Sequence, residues 1–301
     1  LVPDEVEEPT GVDRISDANR YLTAIEISQE GWTKSDTIVL ARGDNYADAL
    51  AGVPFAHQLN APILLTLPND LYEETLAEIA RLGAKKVVIL GGESAISAKV
   101  AGELKAAGLT VERISGSDRF ETAAKIASEM ESSDKVIIAN GMDFPDALSV
   151  AAHAAKSGMP ILLTQADKLP VKTVEALERL GATKTIVVGG KTVVSEKVVK
   201  QLPKPTTLSG ADRYETNIAV AEHFGVTSKH MYVATGQNYA DALTGAVLAA
   251  KNDSAVLLVH ARIPDVVTTY ISDQDLKRLT IFGGESAVSK KVANELEELL
   301  Q

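Results

Sequence analysis

A chain of 301 residues, 45% hydrophobic and 24% charged, is long enough to bury more than one core and carries a formal net charge of −11. That charge excludes capture of nucleic acid or of an anionic membrane by bulk attraction, so no nucleic-acid partner is expected. The absence of Cys removes disulfides, thiol nucleophiles and Cys-based zinc sites, and aromatics at only 4% leave packing to Ala, Val, Ile and Leu.

The opening LVPDEVEEPT is acidic and Pro-containing, without the basic end and apolar centre of a signal peptide. It reads as a lead-in over residues 1–10, either disordered or the trimmed end of a longer product. RIS and a first helix then precede TIVLARG (37–43), a β-branched run of strand length. NYADALAGVPFAHQL follows with Leu50, Val53 and Leu59 at helical spacing and Pro54 placed to bend its first turns. APILLT (61–66) is a continuous apolar run, as expected of a strand covered on both faces. NDLYEETLAEIARLG reads as a helix, with Asp70 and Glu73 as a capping box and Gly83 as a left-handed stop. KKVVILGG (85–92) is a second buried strand, and Ser97 is positioned to cap AKVAGELKAAG.

The same order then returns. VIIANG (136–141), DFPDALSVAAHAAKSG, MPILLT (159–164), VKTVEALERLG, KTIVVGG (184–190) and SEKVVKQL repeat it closely. LPKPTTLSG, with Pro203 and Pro205 blocking helix continuation, is the best linker. A third pass runs through MYVATG (231–236), NYADALTGAVLAA, SAVLLV (254–259), PDVVTTYI, LTIFGG (279–284) and SKKVANELEELL. There Ala255 replaces the proline of APILLT and no RLG stop follows Tyr270, so the helix at this point is expected to be shorter or irregular.

The period is about 95 residues, which means tandem domains and not a solenoid of short repeats. The expected fold class is α/β: three tandem modules, each a small parallel-rich sheet with helices on both faces, over residues 11–110, 111–205 and 206–301. Because the last helix is followed by no further RIS, that stretch is read as the opening strand of each module. The charge-free run from Ala49 to Asn69 contains Gly52, Pro54 and Pro62 and divides into a helix and a strand, so no membrane span is expected.

Three recurring helix starts carry the candidate sites. ARGDNYADAL (41–50), ANGMDFPDAL (139–148) and ATGQNYADAL (234–243) place Asn45, Asp143 and Asn238 as N-caps, with Asp48, Asp146 and Asp241 three residues on. Those carboxylates either complete a capping box or line a pocket at a strand's carboxyl end, where α/β sheets place ligands. A metal site is disfavoured because Asp44, Met142 and Gln237 share no ligand chemistry at the fourth position. In the opening stretches RISDANRYLTA, RISGSDRFETAA and LSGADRYETNIA, Asn19, Asp118 and Asp212 cap the helix, and Arg20, Arg119 and Arg213 fall in its first turn. A cation there opposes the helix dipole by roughly 0.3–1 kcal/mol. Either each arginine bridges to the following Asp48-type carboxylate, or it joins the helix end in gripping an anion. GGESAIS, GGKTVVS and GGESAVS complete no GxGxxG or Walker motif and read as tight turns. His57, His153, His223, His230 and His260 occupy no position common to all three copies, so no catalytic residue, metal or cofactor is expected.

The set R-I-S-G-x-D-R-[FY]-E-T-A, N-G-x-x-F-P-D-A-L, P-I-L-L-T and V-x-x-[LV]-G-G, met three times in order over residues 11–301, closely resembles the cell wall-binding repeat 2 family. The resemblance implies three tandem copies arranged with pseudo-threefold symmetry on an exported, S-layer-associated or other surface protein of a Gram-positive bacterium. It implies non-covalent attachment at the extracellular face of the wall through an anionic cell-wall polysaccharide or teichoic-acid-like polymer, with any enzyme in a separate domain. On that reading Arg20, Arg119, Arg213, Asp48, Asp146 and Asp241 are the polymer-binding positions, and the chain is a monomer whose modules form an intramolecular trimer. A wall hydrolase of amidase type and a spacer without glycan affinity are the alternatives.

Overall fold

The structure is a computed structural model and describes residues 9–301; most of the acidic lead-in lies outside the described residues. The first repeat contains β1 (Gly11–Ile15), α1 (Arg20–Gly31), β2 (Thr37–Arg42), α2 (Gly52–Gln58), β3 (Ile63–Thr66), α3 (Glu73–Arg81), β4 (Lys86–Leu90) and α4 (Ala98–Ala106). The second contains β5 (Thr110–Ile114), α5 (Arg119–Ser128), β6 (Lys135–Asn140), α6 (Pro145–Lys156), β7 (Ile161–Thr164), α7 (Val171–Arg179), β8 (Lys184–Val188) and α8 (Glu196–Val199). The third contains β9 (Pro205–Leu208), α9 (Arg213–Phe224), β10 (His230–Thr235), α10 (Ala240–Lys251), β11 (Val256–Val259), α11 (Asp265–Asp273), β12 (Arg278–Phe282) and α12 (Lys290–Leu299).

Strands and helices build three four-stranded parallel sheets, ordered β3-β2-β4-β5, β7-β6-β8-β9 and β11-β10-β12-β1. The RIS strand therefore closes a sheet and does not open one. β5 pairs with β4 and β9 with β8, each completing the preceding sheet. β1 has no predecessor and completes the last one, with Ile15 in register with Phe282. The reason lies in the Gly-Gly turns: Gly91, Gly189 and Gly283 donate their N–H to Ile114, Leu208 and Ile15 at 2.9, 2.9 and 3.0 Å. The side chain of Arg113 donates to the Gly91 and Gly92 carbonyls, and that of Arg14 to Gly283 and Val288. The LPKPTTLSG linker is likewise part strand, with Pro205 at the first position of an edge strand, where its missing N–H costs no ladder bond.

The apolar runs behave as their composition requires. ILLT of β3 and β7 and VLLV of β11 are buried at every position. Replacement of proline by Ala255 changes no backbone pairing, since the Ala255 carbonyl accepts from Tyr232 as Pro62 and Pro160 accept from Val39 and Ile137. The expected irregularity of the following helix is also absent: α11 has nine residues, as do α3 and α7, and ends in an extended Gln274 where the others end with Gly83 and Gly181 in the left-handed region.

α2, α6 and α10 pack on one another at the centre, and residues of all three (Val53, Ala56, Leu148, Ala151, Leu243 and Val247) share one apolar core with the inner sheet faces. The second and third sheets keep separate outer clusters around Val187 and Ile281. The modules thus do not each bury a self-contained core. Ala-rich helices allow this close approach, which is why 4% aromatic residues suffice. Among the described residues no helix is long and apolar enough to cross a membrane.

Candidate functional site

The carboxyl ends of the strands converge toward the pseudo-threefold axis, and the box after β2, β6 and β10 is where the modules meet. The helix starts differ from expectation. α6 and α10 begin with Phe144 and Tyr239 at the cap position, without a side-chain cap, and α2 is delayed to Gly52 with Pro54 in its first turn. Asn45, Asp143 and Asn238 instead accept from near-neighbour N–H groups within the turn, at 2.7–2.9 Å. Tyr46, Phe144 and Tyr239 turn inward. Their rings form an edge-to-face triangle with centroids 5.5, 5.5 and 5.9 Å apart, one ring from each module. The recurrence of an aromatic at this position in all three boxes was the signal for it.

The opening-stretch helices are capped as their sequences require. Asn19, Asp118 and Asp212 accept from N–H groups of the first turn, and Glu121 returns a bond to Ser117 that holds its carboxyl down at about 2. Arg20, Arg119 and Arg213 are the first residues of α1, α5 and α9. Each donates Nη1 to the carbonyl of the box glycine of its own repeat: Gly43 at 2.6 Å, Gly141 at 2.6 Å and Gly236 at 2.7 Å. Each guanidinium also lies 5.7 Å from the ring centre of the preceding module's aromatic: Arg20 over Tyr239, Arg119 over Tyr46, Arg213 over Phe144. The residue after each arginine, Tyr21, Phe120 or Tyr214, packs against the same glycine, and a Cβ there would come within 3.0 Å of the ring. The D-R-[FY] and x-x-G motifs, about twenty residues apart, are thus two halves of one contact.

Asp48, Asp146 and Asp241 are partly buried and point at the Gly-Gly turn of their own module. A Cβ at Gly91 or Gly189 would meet the Asp48 or Asp146 carboxylate at 2.7 or 2.6 Å, and Gly283 is similarly shielded by Asp241. These glycines need φ of 100–116°, a second reason for Gly at each. Among the described residues none of the three carboxylates forms an ion pair with a repeat arginine of its own module. For Asp146 and Asp241 the intramodular bridge is replaced by proximity to the arginine of the next module. Burial pushes Asp146 up to about 6, reinforced by Asp143 and opposed by Arg213. Asp241 is raised by burial and opposed by Arg20.

Two clefts result. One, of about 330 Å³, lies between the third and first modules, with Asn19 and Arg20 facing Asn238, Asp241 and Ser286. The other, of about 300 Å³, lies between the second and third, with Asp212 and Arg213 facing Asn140, Asp146 and Thr192. At the corresponding place between the first and second modules, Arg42 forms a two-point pair with Asp44 at 2.6 and 2.8 Å and reaches the Ser94 carbonyl at 3.4 Å. Asn140 with Met142 and Thr235 with Gln237 stand at these positions elsewhere. Four of the six expected residues are thus brought together pairwise between neighbours, Arg20 with Asp241 and Arg213 with Asp146, while Asp48 faces Arg42 of its own module. Each guanidinium spends one nitrogen on the fold and keeps further N–H groups for the cleft. Among the described residues no group of three or more His, Asp or Glu is placed to hold a metal ion.

A family described as cell wall binding domain 2 (CWB2) matches residues 14–101, 113–199 and 207–293, and the chain belongs to it. Among its relatives are the N-acetylmuramoyl-L-alanine amidase LytC of Bacillus subtilis, 36% identical over 287 residues, which are 95% of this chain and 58% of that protein. The amidase enhancer of Bacillus subtilis is 35% identical over 290 residues, covering 95% of this chain and 40% of the relative. Among solved structures, Cwp6 from Clostridium difficile superposes with a TM-score of 0.91 at 31% identity, over 97% of this chain and 48% of that one. Cwp8 from the same organism gives 0.90 at 30% identity, over 97% and 52%. The chain therefore spans about half the length of these relatives. Family and relatives place it at the cell wall or cell surface, with a wall polymer as partner.

Proposed function

We propose that this member of the family is a non-covalent anchor that holds an anionic secondary polymer, teichoic-acid-like, on the outside of a Gram-positive wall. The observation that carries this reading is the pairing of a repeat arginine and a helix N-terminus from one module with a buried carboxyl from its neighbour, in a cleft at the strands' carboxyl ends. Arginine and the positive helix end suit a phosphate or carboxylate on the polymer. The Asp and Asn side chains suit the hydroxyls that separate such charges along a sugar or polyol backbone. Local capture of this kind reconciles an anionic ligand with a net charge of −11. More than one weak cleft on a repeating polymer gives avidity of about 10²–10⁴ beyond a single site. Chemistry, in this reading, belongs to whatever domain is joined to the anchor.

Cosedimentation with purified walls, before and after chemical removal of secondary polymers, tests the proposal. Binding is expected to native walls and to be lost from stripped ones; equal binding to both, or to neither, refutes it.

A further inference from the structure

At the opposite end of the strands from the clefts, the three repeats part company. Parallel pairing sets Lys135 of β6 directly beside Lys184 of β8, and Ile186 of β8 beside Thr206 of β9. Alternation along the strands puts Lys135, Lys184, Ile186 and Thr206 on one face, with Lys204 two residues before Thr206. In the first sheet the equivalent residues are Thr37, Lys86 and Glu112, and Lys86 pairs with Glu112 at 2.7 Å. In the third they are His230, Arg278 and Asp13, and Arg278 donates Nε to Asp13 at 2.8 Å. Two sheets therefore neutralise this cation with a carboxylate on the closing strand, beside a neutral neighbour. The second sheet carries Thr206 in the carboxylate's place and a second lysine in the neighbour's. Among the described residues Lys135, Lys184 and Lys204 form no ion pair.

Like charges directly opposite in a ladder destabilise it, and an acidic chain with 41 Asp and Glu has carboxylates to place there. The three lysines border a cavity of about 530 Å³ together with Thr206 and His223, and no acidic residue lines it. Its apolar wall is Met159, Ile186 and Phe224. Lysines converge as compact point charges with rotatable donors, which suits a tetrahedral, multiply charged oxyanion; the planar carboxylate is better matched by arginine, and no arginine lines the cavity.

We propose that this cavity is a binding site for a phosphate group carried on a small organic moiety, whose carbon skeleton rests on Ile186 and Phe224. It is separate from the clefts between modules and independent of what those hold.

Isothermal titration calorimetry of the whole chain with glycerol 3-phosphate and with inorganic phosphate tests it. One equivalent of glycerol 3-phosphate is expected to bind, more tightly than inorganic phosphate. Thr206→Glu, which restores the pairing of the other two sheets at an exposed strand position, is expected to weaken binding by about tenfold or more, as is Lys184→Met. Thermal melting verifies that both variants remain folded. No saturable binding by the native chain, or native-like binding by both folded variants, overturns the proposal. Equal affinity for the two probes overturns the organic carrier and assigns the site to free phosphate.

Discussion

Arg119 of the second repeat donates Nη1 to Gly141 of its own repeat at 2.6 Å while its guanidinium lies 5.7 Å from the ring centre of Tyr46 in the first. One side chain thus fastens a helix start to its own sheet and that sheet to its neighbour. A charge-assisted bond contributes about 1.5–3 kcal/mol, against the roughly 0.3–1 kcal/mol that a cation costs at a helix N-terminus. The fold term wins. Arg119→Ala is therefore expected to lower unfolding free energy by about 2–3 kcal/mol, with Arg119→Lys intermediate, read by urea denaturation. If Arg119→Ala still sediments with walls well below its melting temperature, this arginine serves the fold alone.

The aromatic triangle is not evenly supported. The hydroxyl of Tyr239 donates to Gly43 at 2.7 Å and accepts from Arg20 at 3.1 Å, whereas Phe144 has no hydroxyl to offer. Tyr239→Phe is expected to cost about 1 kcal/mol and Tyr239→Ala about 3–5 kcal/mol, because the ring is buried at the junction of three modules. Differential scanning calorimetry should show one transition in both variants, since the shared core couples the modules.

Closure by β1 makes residues 11–15 part of the third module. A chain beginning at Asp17 is expected to be destabilised as a whole, with amide protection lost most strongly in β12. A peptide spanning residues 9–16 should restore it.

Acid stability has opposing contributors. Burial depresses His153 from 6.5 to about 4, so the unfolded chain takes up this proton first and stability falls as pH drops from 6.5 toward 4, by roughly 3 kcal/mol. Asp146 is raised from 3.8 to about 6, so it favours the folded state at low pH and loses that advantage as pH rises through this window. His153→Phe, which keeps the stack on Phe224, is expected to flatten the pH 4–6.5 slope, and Asp146→Asn to steepen it. Urea denaturation at pH 7 and pH 5 separates the two.

At the junction of the first and second modules the Arg42–Asp44 pair, which contributes about 0–1 kcal/mol at such exposure, stands where the clefts have Asn140 with Met142 and Thr235 with Gln237. Arg42→Asn combined with Asp44→Met copies the second module's residues into the first. It is expected to open a cleft beside Asp48 and to strengthen wall sedimentation with little change in stability; unchanged sedimentation would confine polymer contact to the other two clefts.

Much of this was legible in the residues. Apolar runs and turn glycines located nearly every strand, and the Asn19, Asp118 and Asp212 caps were correct because capping is decided within four residues. What failed was non-local. Strand pairing across repeats is set by Gly-Gly turns receiving the RIS strand, and nothing inside RIS says which sheet it joins. Asn45, Asp143 and Asn238 have good capping chemistry, yet burying Tyr46, Phe144 and Tyr239 at the axis moved the helix starts past them. The arginines looked locally unfavourable because their partners, a glycine carbonyl about twenty residues on and an aromatic ring of another module, lie outside the helix they start.

Gly11 and Leu299 end on the same module, where the backbone N–H of Val12 donates to the Glu297 carboxylate at 2.6 Å. Tension applied between these two ends is carried by the β1–β12 ladder and does not pass through the interfaces between modules. The ring would be shielded from load by a five-residue clasp. Detachment of these five residues would loosen the third sheet before load reached the interfaces between modules.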